Sequence, residues 1–407
     1  MSDTRCHRTA SDSLHEGVRN QLEIADIFRQ FRDRLGELHH SQWKVVNAIV
    51  NCRTSVLGAH AMTCGACGHQ EISYNSCRNR HCPKCRSLAK YRWVEGQLNN
   101  LLPVPYFHAV FTMPGILRPL ALYNKAVVYS LLFRAVSETI RDIALNERFL
   151  GARTGLISVL HTWDQQLNLH PHVHCLMPGG GLSPDSTAWI GSGPSFFLPV
   201  RALAKVFRGK FLASLEKAYG RGELSLEGYG ARCGEDGWKR VLKKSCRTPW
   251  VVYCKAPFSG PEKVVEYLGR YTHRVALTNN RIVSMSGEKV SFSWRDRQNG
   301  DVRRVMSLDA VTFLKRFLLH VLPDRFVKIR YYGIFANPVK KRVLNVVKMA
   351  LGLVRKTASP ENSTSGDWRD LLKKVTGIDL RVCPACGAME MRWEANVSGS
   401  RPAPRSG

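Results

Sequence analysis

Acidic side chains are scarce in this sequence. Its 407 residues carry 32 Asp and Glu against 60 Lys and Arg, a formal net charge of +28. An excess of that size repels itself in a compact chain unless a polyanion offsets it, so nucleic acid is the first partner to consider. Long apolar runs are missing as well. No stretch of about 18 apolar residues occurs, which excludes a membrane-spanning helix. The opening MSDTRCHRTASDS is polar and lacks the apolar core of a secretion signal. Without a basic amphipathic helix or a lipidation signal there, no membrane partner is expected, and the expected location is the cytoplasm. An HExxH motif, which would suggest hydrolysis by activated water, is absent too.

Cysteine is plentiful by comparison. There are 13, an odd number, and five of them fall between residues 64 and 85. In a cytosolic chain such clustering argues for metal rather than for a disulfide framework. Cys64-Gly-Ala-Cys67 and Cys82-Pro-Lys-Cys85 each form a knuckle that offers two thiolates to one Zn²⁺, and the intervening loop has ribbon or finger length. The reading is a structural zinc ion on Cys64, Cys67, Cys82 and Cys85. Cys77 and His81 stay open as replacement ligands, as ligands of a second ion, or as loop residues. Arg78, Arg80, Lys84 and Arg86 crowd this stretch and are expected to grip DNA phosphates. The competing reading is a zinc clip that only stabilises the N-terminal helices. Cys383-x2-Cys386 has no second pair beside it and reads as two ordinary thiols.

Periodicity sets the organisation. Residues 1–20 read as a disordered N-terminus and 21–102 as a helical zinc-binding, DNA-binding domain, closed by Pro103 and Pro105. Residues 103–350 form the second domain, and 351–407 a poorly structured tail with one CxxC. YFHAVFTMP, GLISVLHTW and HVHCLMP read as strands. The last two are separated by about eight residues, which makes them antiparallel neighbours. Helical stretches lie between, and Asn299-Gly300 marks a hairpin. The mixture is α+β.

Within the third strand, HPHVH at 170–174 places His172 and His174 on one face. Imidazole nitrogens suit a divalent transition metal and, with an oxygen ligand and phosphate, also Mg²⁺ or Mn²⁺. A hydrogen-bonded core pair is the alternative. A metal here needs a reacting partner, and EYLGRYTHR offers Tyr267 and Tyr271 at i and i+4 of a predicted helix. Lys263, Arg270 and Arg274 fall on or beside the same face. A phenol with pKa near 10 is a poor nucleophile at pH 7. Surrounding cations and a metal-polarised phosphate would correct that mismatch. Two tyrosines packing a helix onto a sheet is the plainer reading of the same residues.

HPHVHCLMPGGG together with YLGRYTHRVALTNN resembles the rolling-circle insertion-sequence transposases of the two-tyrosine HUH class. CGACGHQEISYNSCRNRHCPKCR resembles their N-terminal transposase zinc-binding domain, and RYYGIFANPVKKR a segment near the end of their catalytic region. The resemblance runs from roughly residue 25 to 350. It implies an HUH-endonuclease-like central antiparallel sheet flanked by helices, preceded by a small helical zinc-binding domain. It also implies that 103–350 is the catalytic domain, in which His172 and His174 hold a catalytic Mg²⁺ or Mn²⁺ against the scissile phosphate of single-stranded DNA. Tyr267 and Tyr271 would alternate as nucleophiles through a 5′-phosphotyrosine, driving rolling-circle transposition at the bacterial nucleoid. A third metal ligand is usual in the class; Gln165 and His170 are candidates, and the role of Asp164 is open. Homo-oligomerisation is open as well. Three other readings compete: a related HUH replication initiator or relaxase, a non-catalytic zinc DNA-binding regulator, and a water-using metal hydrolase.

Overall fold

The computed structural model describes residues 21–98, 100–193, 198–230, 233–255, 263–264, 269, 276–297, 299–353, 369–370, 373 and 377–397. Among them the strands are, in chain order, β1 (Ala59–Cys64), β2 (Gln70–Tyr74), β3 (Tyr106–Thr112), β4 (Gly155–Trp163), β5 (Leu169–Pro178), β6 (Gly180–Leu182), β7 (Trp189–Gly191), β8 (Val252–Lys255), β9 (Ile282–Ser286), β10 (Lys289–Asp296), β11 (Val302–Asp309), β12 (Ile329–Gly333) and β13 (Met391–Val397). No helix among the described residues is long and apolar enough to cross a membrane.

The central sheet has the order β12-β4-β5-β3-β8, and every neighbouring pair is antiparallel. Side chains alternate between its faces. Phe107, Phe111, Leu160, Val173 and Met177 face one way. They are buried in one core with residues of the helices Lys125–Leu145 and Val200–Gly220, such as Phe133 and Phe207. Burying a large apolar side chain of this kind contributes about 1.5–3 kcal/mol, so this face is fixed by packing. The other face carries Ile157 and Leu176, buried with Tyr106, Val264, Ile334 and Phe335, and beside them a row of histidines. The architecture is α+β, with a central antiparallel sheet flanked by helices.

At the end of β5 the Gly179-Gly180-Gly181 run has a steric reason. A Cβ on Gly180, whose φ is 149°, would lie 2.5 Å from the Ile190 carbonyl oxygen, and one on Gly181 would lie 2.8 Å from the Arg153 backbone. The β6–β7 hairpin therefore crosses too closely for any side chain there.

The N-terminal helices Ile24–Phe31 and His40–Val50 do not close a core of their own. Ile24, Phe28, Val46 and Ile49 share one with Phe292, Phe313, Phe317 and Leu318, and the Phe28 and Phe317 rings meet edge to face at 6.0 Å. The first two helices of the segment read as the zinc-binding domain thus pack onto the β9–β11 meander and the helix Ala310–Leu319. The hairpin marked by Asn299-Gly300 is the β10–β11 turn of that meander. Phe28→Ala is expected to cost about 3–5 kcal/mol and to lower the denaturation midpoint of residues 276–321 as well as of its own helix. Hydrogen exchange on both segments checks this.

The C-terminal segment, expected to be poorly structured, supplies β13. That strand pairs antiparallel with β1, giving a three-stranded sheet of order β13-β1-β2.

Burial holds one histidine of this fold neutral. His320 is enclosed between the Thr162 hydroxyl and the Leu167 carbonyl, each 3.2 Å away, and burial pushes its pKa down to about 4. Between pH 6.5 and about 4 the unfolded chain binds a proton that the folded chain refuses, so stability falls as pH drops through that window. His320→Gln is expected to flatten that part of the pH–stability curve, measured by urea midpoint.

Candidate active site

Three imidazoles meet on the second face of the sheet. Antiparallel pairing puts His161 of β4 opposite His172 of β5, and Val159 opposite His174; directly opposed residues share a face. The ring centres of His161, His172 and His174 are 4.4–5.5 Å apart. The nitrogens they offer all lie within 4.8 Å of one another. His161 and His174 are buried and His172 is half-buried.

A further set of contacts orients these rings. The Nδ1 of His172 lies 2.6 Å from the His170 carbonyl and donates to it. His174 Nδ1 lies 2.9 Å from Nε2 of the buried His108 on β3. With both Nδ1 atoms engaged, Nε2 is the nitrogen each ring presents as a ligand. Burial pushes His172 down to about 4, and burial with Lys255 nearby does the same to His108. These two rings are neutral at pH 7, the form in which an imidazole nitrogen keeps its lone pair for a cation. His161 stacks on Trp163 at 4.6 Å.

His161 is the member that sequence reasoning missed, and the cause is a β-bulge. Trp163 pairs with Leu169, but the next pair is His161 with His172. One residue on β4 therefore faces two on β5, His170 and Pro171. Without the bulge His161 would oppose Pro171 and turn to the other face of the sheet. Proline lacks the N–H that a central strand needs, and a bulge is where that lack is tolerated. The Pro171 carbonyl still accepts from Met113 N–H at 3.2 Å.

Of the two candidate third ligands, His170 is not in the three-histidine group, although its ring centre lies 5.2 Å from that of His172. His170 Nδ1 is 3.1 Å from the Arg118 guanidinium, while the Gln165 carbonyl accepts from Arg281. Asp164 shapes the β4–β5 turn, its carboxylate accepting from the backbone N–H of Gln166 and Asn168 and from the Asn168 amide. Tyr267, Tyr271, Arg270 and Arg274 lie outside the described residues. Of their surroundings, Lys263 is exposed and Val264 is buried in the core of Ile157 and Leu176. A Cβ on Gly269 would fall 2.6 Å from Val94 of the helix Arg86–Leu98.

The cysteines regroup. The structure gathers Cys52, Cys77, Cys82 and Cys85 into one set and Cys64, Cys67, Cys383 and Cys386 into another. The quartet of Cys64, Cys67, Cys82 and Cys85 does not assemble, because Cys64 and Cys67 sit at the tip of the β1–β2 hairpin. Its base is tied at Arg53–Asn75 and Gly58–Asn75, next to the other set, and strand β1 separates tip from base by roughly 17 Å. Cys77 is therefore a member of a set, whereas His81 accepts from Leu322 N–H. Cys383 and Cys386, expected as ordinary thiols, face Cys67 and Cys64. Cys52, never singled out in the sequence, completes the first set.

Two of the expected phosphate-gripping cations are occupied within the fold. Arg80 donates to the Phe326 and Pro323 carbonyls, at 2.5 and 3.0 Å, and Lys84 pairs with Glu23. Arg78 is exposed, in the left-handed region at φ 52°. Arg86 begins the helix Arg86–Leu98, and its side chain lies outside the described part.

Residues 23–113 match the family described as "Transposase zinc-binding domain", and 155–342 match the family described as "Putative transposase". A protein of Sinorhizobium fredii (strain NBRC 101917 / NGR234) named "Putative transposase y4qJ" is 46% identical over 379 residues, covering 92% of this chain and 95% of that one. The chain belongs to this transposase family. "Transposase for insertion sequence element IS801" of Pseudomonas savastanoi pv. phaseolicola is 29% identical over 373 residues, 89% of this chain and 86% of its own length. No solved structure gives a significant match. The zinc-binding match, with the cysteine sets inside and beside it, supports structural zinc in the chain. The second match encloses β4 and β5 and hence all three histidines.

Proposed function

We propose that this transposase cleaves and rejoins single-stranded DNA by tyrosine transesterification at the histidine site, driving rolling-circle transposition of an insertion sequence. The observation that carries the reading is the cluster of His161, His172 and His174 on one sheet face. Three imidazole donors on one side fit a divalent cation that keeps open positions for a phosphate oxygen, and nitrogen donors favour Mn²⁺ over Mg²⁺. A bound ion of this kind supplies Lewis-acid polarisation of the scissile phosphate.

The chain's own residues do the rest. His108 and the His170 carbonyl hold the two β5 rings in one orientation. Tyr267 and Tyr271 are the nucleophiles. The phenol oxygen bonds to phosphorus as the P–O3′ bond breaks; the phenol gives up its proton and the departing 3′ oxygen takes one up. The product is a 5′-phosphotyrosine, and reversal onto another 3′-hydroxyl rejoins DNA without a nucleotide cofactor. Val264 supports the placement. On the predicted helix, Val264, Tyr267 and Tyr271 stand at i, i+3 and i+7 and share a face. Val264 is buried among Ile157 and Leu176, which occupy the same sheet face as the histidines. Lys263, Arg270 and Arg274 contribute phosphate contacts beside the tyrosines, as Arg78 and Arg86 do from the zinc-binding module. The setting is the bacterial cytoplasm, at nucleoid DNA.

The test is incubation with single-stranded element-end DNA and Mn²⁺ or Mg²⁺, followed by a denaturing gel. A covalent protein–DNA band is expected. Metal-dependent cleavage with no attached protein would transfer the reaction to water and overturn the tyrosine mechanism. Binding carries its own expectation. With a net charge of +28, affinity should fall at least about tenfold between 50 and 200 mM salt as counterions are released. A flat salt profile in fluorescence anisotropy would contradict it.

A further inference from the structure

The matched zinc-binding stretch, residues 23–113, contains six cysteines: Cys52, Cys64, Cys67, Cys77, Cys82 and Cys85. Six thiols fill one tetrahedral site and half of another. The missing half comes from the far end of the chain. We propose that Cys64, Cys67, Cys383 and Cys386 bind a second structural zinc ion, separate from that of Cys52, Cys77, Cys82 and Cys85, and that this ion fastens the C-terminal segment to the zinc-binding module.

The two half-sites are built alike. Cys64-Gly-Ala-Cys67-Gly68 and Cys383-Pro-Ala-Cys386-Gly387 share the spacing Cys-x-x-Cys-Gly. In the first, Gly68 N–H donates to the Cys64 carbonyl and Cys64 N–H to the His69 carbonyl. In the second, Gly387 N–H donates to the Cys383 carbonyl and Cys383 N–H to the Ala388 carbonyl. The closing glycines have φ of 72° and 77°, the left-handed turn that lets both sulfurs of a knuckle point to one side. Backbone pairing holds the knuckles face to face. Gly65 N–H donates to the Glu390 carbonyl, and β1 continues the contact along β13 from Cys64–Met391 to Ala59–Val397.

Sulfur spacing agrees with a metal rather than a bond. Cys64 Sγ lies 3.7 Å from Cys386 Sγ, and Cys67 Sγ lies 3.7 Å from Cys383 Sγ. Four thiolates at about 2.3 Å from a tetrahedral Zn²⁺ are separated by about 3.8 Å, whereas a disulfide needs about 2.05 Å. The partners of each contact are more than 300 residues apart in sequence, so the ion closes a loop of more than 300 residues. The proposal is independent of the chemistry assigned to the histidines.

Zinc content of the full-length protein, measured by inductively coupled plasma mass spectrometry, should be two ions per chain. It should fall to one in Cys383→Ser/Cys386→Ser and to one in Cys77→Ser/Cys82→Ser. A second measurement needs no variant. Cys67, Cys386 and Cys246 are all exposed, but only Cys246 lies outside both sets. In the zinc-loaded native chain, iodoacetamide should label Cys246 at least tenfold faster than Cys67, Cys383 or Cys386, and a chelator should erase that difference. One zinc per chain in the wild type, or labelling of Cys386 as fast as Cys246 before chelation, would overturn the second site.

Discussion

Replacing both tyrosines, Tyr267→Phe with Tyr271→Phe, is expected to abolish the covalent adduct and lower strand cleavage by at least about 10³-fold, with DNA affinity within about twofold of wild type. Phenylalanine keeps the apolar body of each side chain and removes only the oxygen, so packing is preserved while the nucleophile is lost. The two single variants should behave differently from the double. If both hydroxyls reach the same phosphate in turn, either phenylalanine alone leaves one nucleophile, and the adduct persists while strand transfer falls. An adduct absent from one single variant and normal in the other would assign the chemistry to one tyrosine and remove the alternation. Unchanged activity in the double variant would place the chain among DNA-binding regulators. Because the zinc-binding module and the excess positive charge are untouched, the DNA affinity serves as the internal check on folding.

Local pattern and long-range assembly were legible in the sequence to different degrees. The aromatic and β-branched runs HVHCLMP and GLISVLHTW already read as strands, and the short connection between them implies the antiparallel pairing observed between β4 and β5. His172 and His174 are visible because they are two residues apart on one strand. His161 is not, since its facing depends on an extra residue across the strand pair, and a bulge leaves no spacing signature in β4 itself. The cysteines fail in the same way at greater range. CxxC is a local motif, so it marks half-sites, and the nearest two half-sites were joined. Which halves meet is decided by the length of the β1–β2 hairpin and by the pairing of β13 with β1, neither of which a spacing rule contains. Arg80 and Lys84 show a related limit. A basic loop looks like a phosphate grip until the carbonyls of Phe326 and Pro323 and the carboxylate of Glu23 are found against it.

The second large effect is expected at the residue that the pattern concealed. His161→Ala should reduce metal-dependent cleavage by at least about 100-fold, because it removes one of three donors and with it much of the several kcal/mol of charge stabilisation that a held cation supplies. The comparison with its neighbours makes the result specific. His170→Ala, which removes a ring bonded to Arg118 rather than one in the cluster, should change cleavage less than about threefold. His108→Phe keeps a ring in the buried position but loses the nitrogen against His174 Nδ1; a loss of about 10–100-fold is expected for a group that orients a ligand. A partial donor loss also has a readout that a folding defect lacks. The metal concentration giving half-maximal cleavage should rise in His161→Ala, and high Mn²⁺ should restore part of the rate. If His161→Ala cleaves at the wild-type rate with an unchanged metal requirement while His170→Ala fails, the third ligand is His170. The bulge at His170–Pro171 would then serve to bring that ring, and not His161, to the metal.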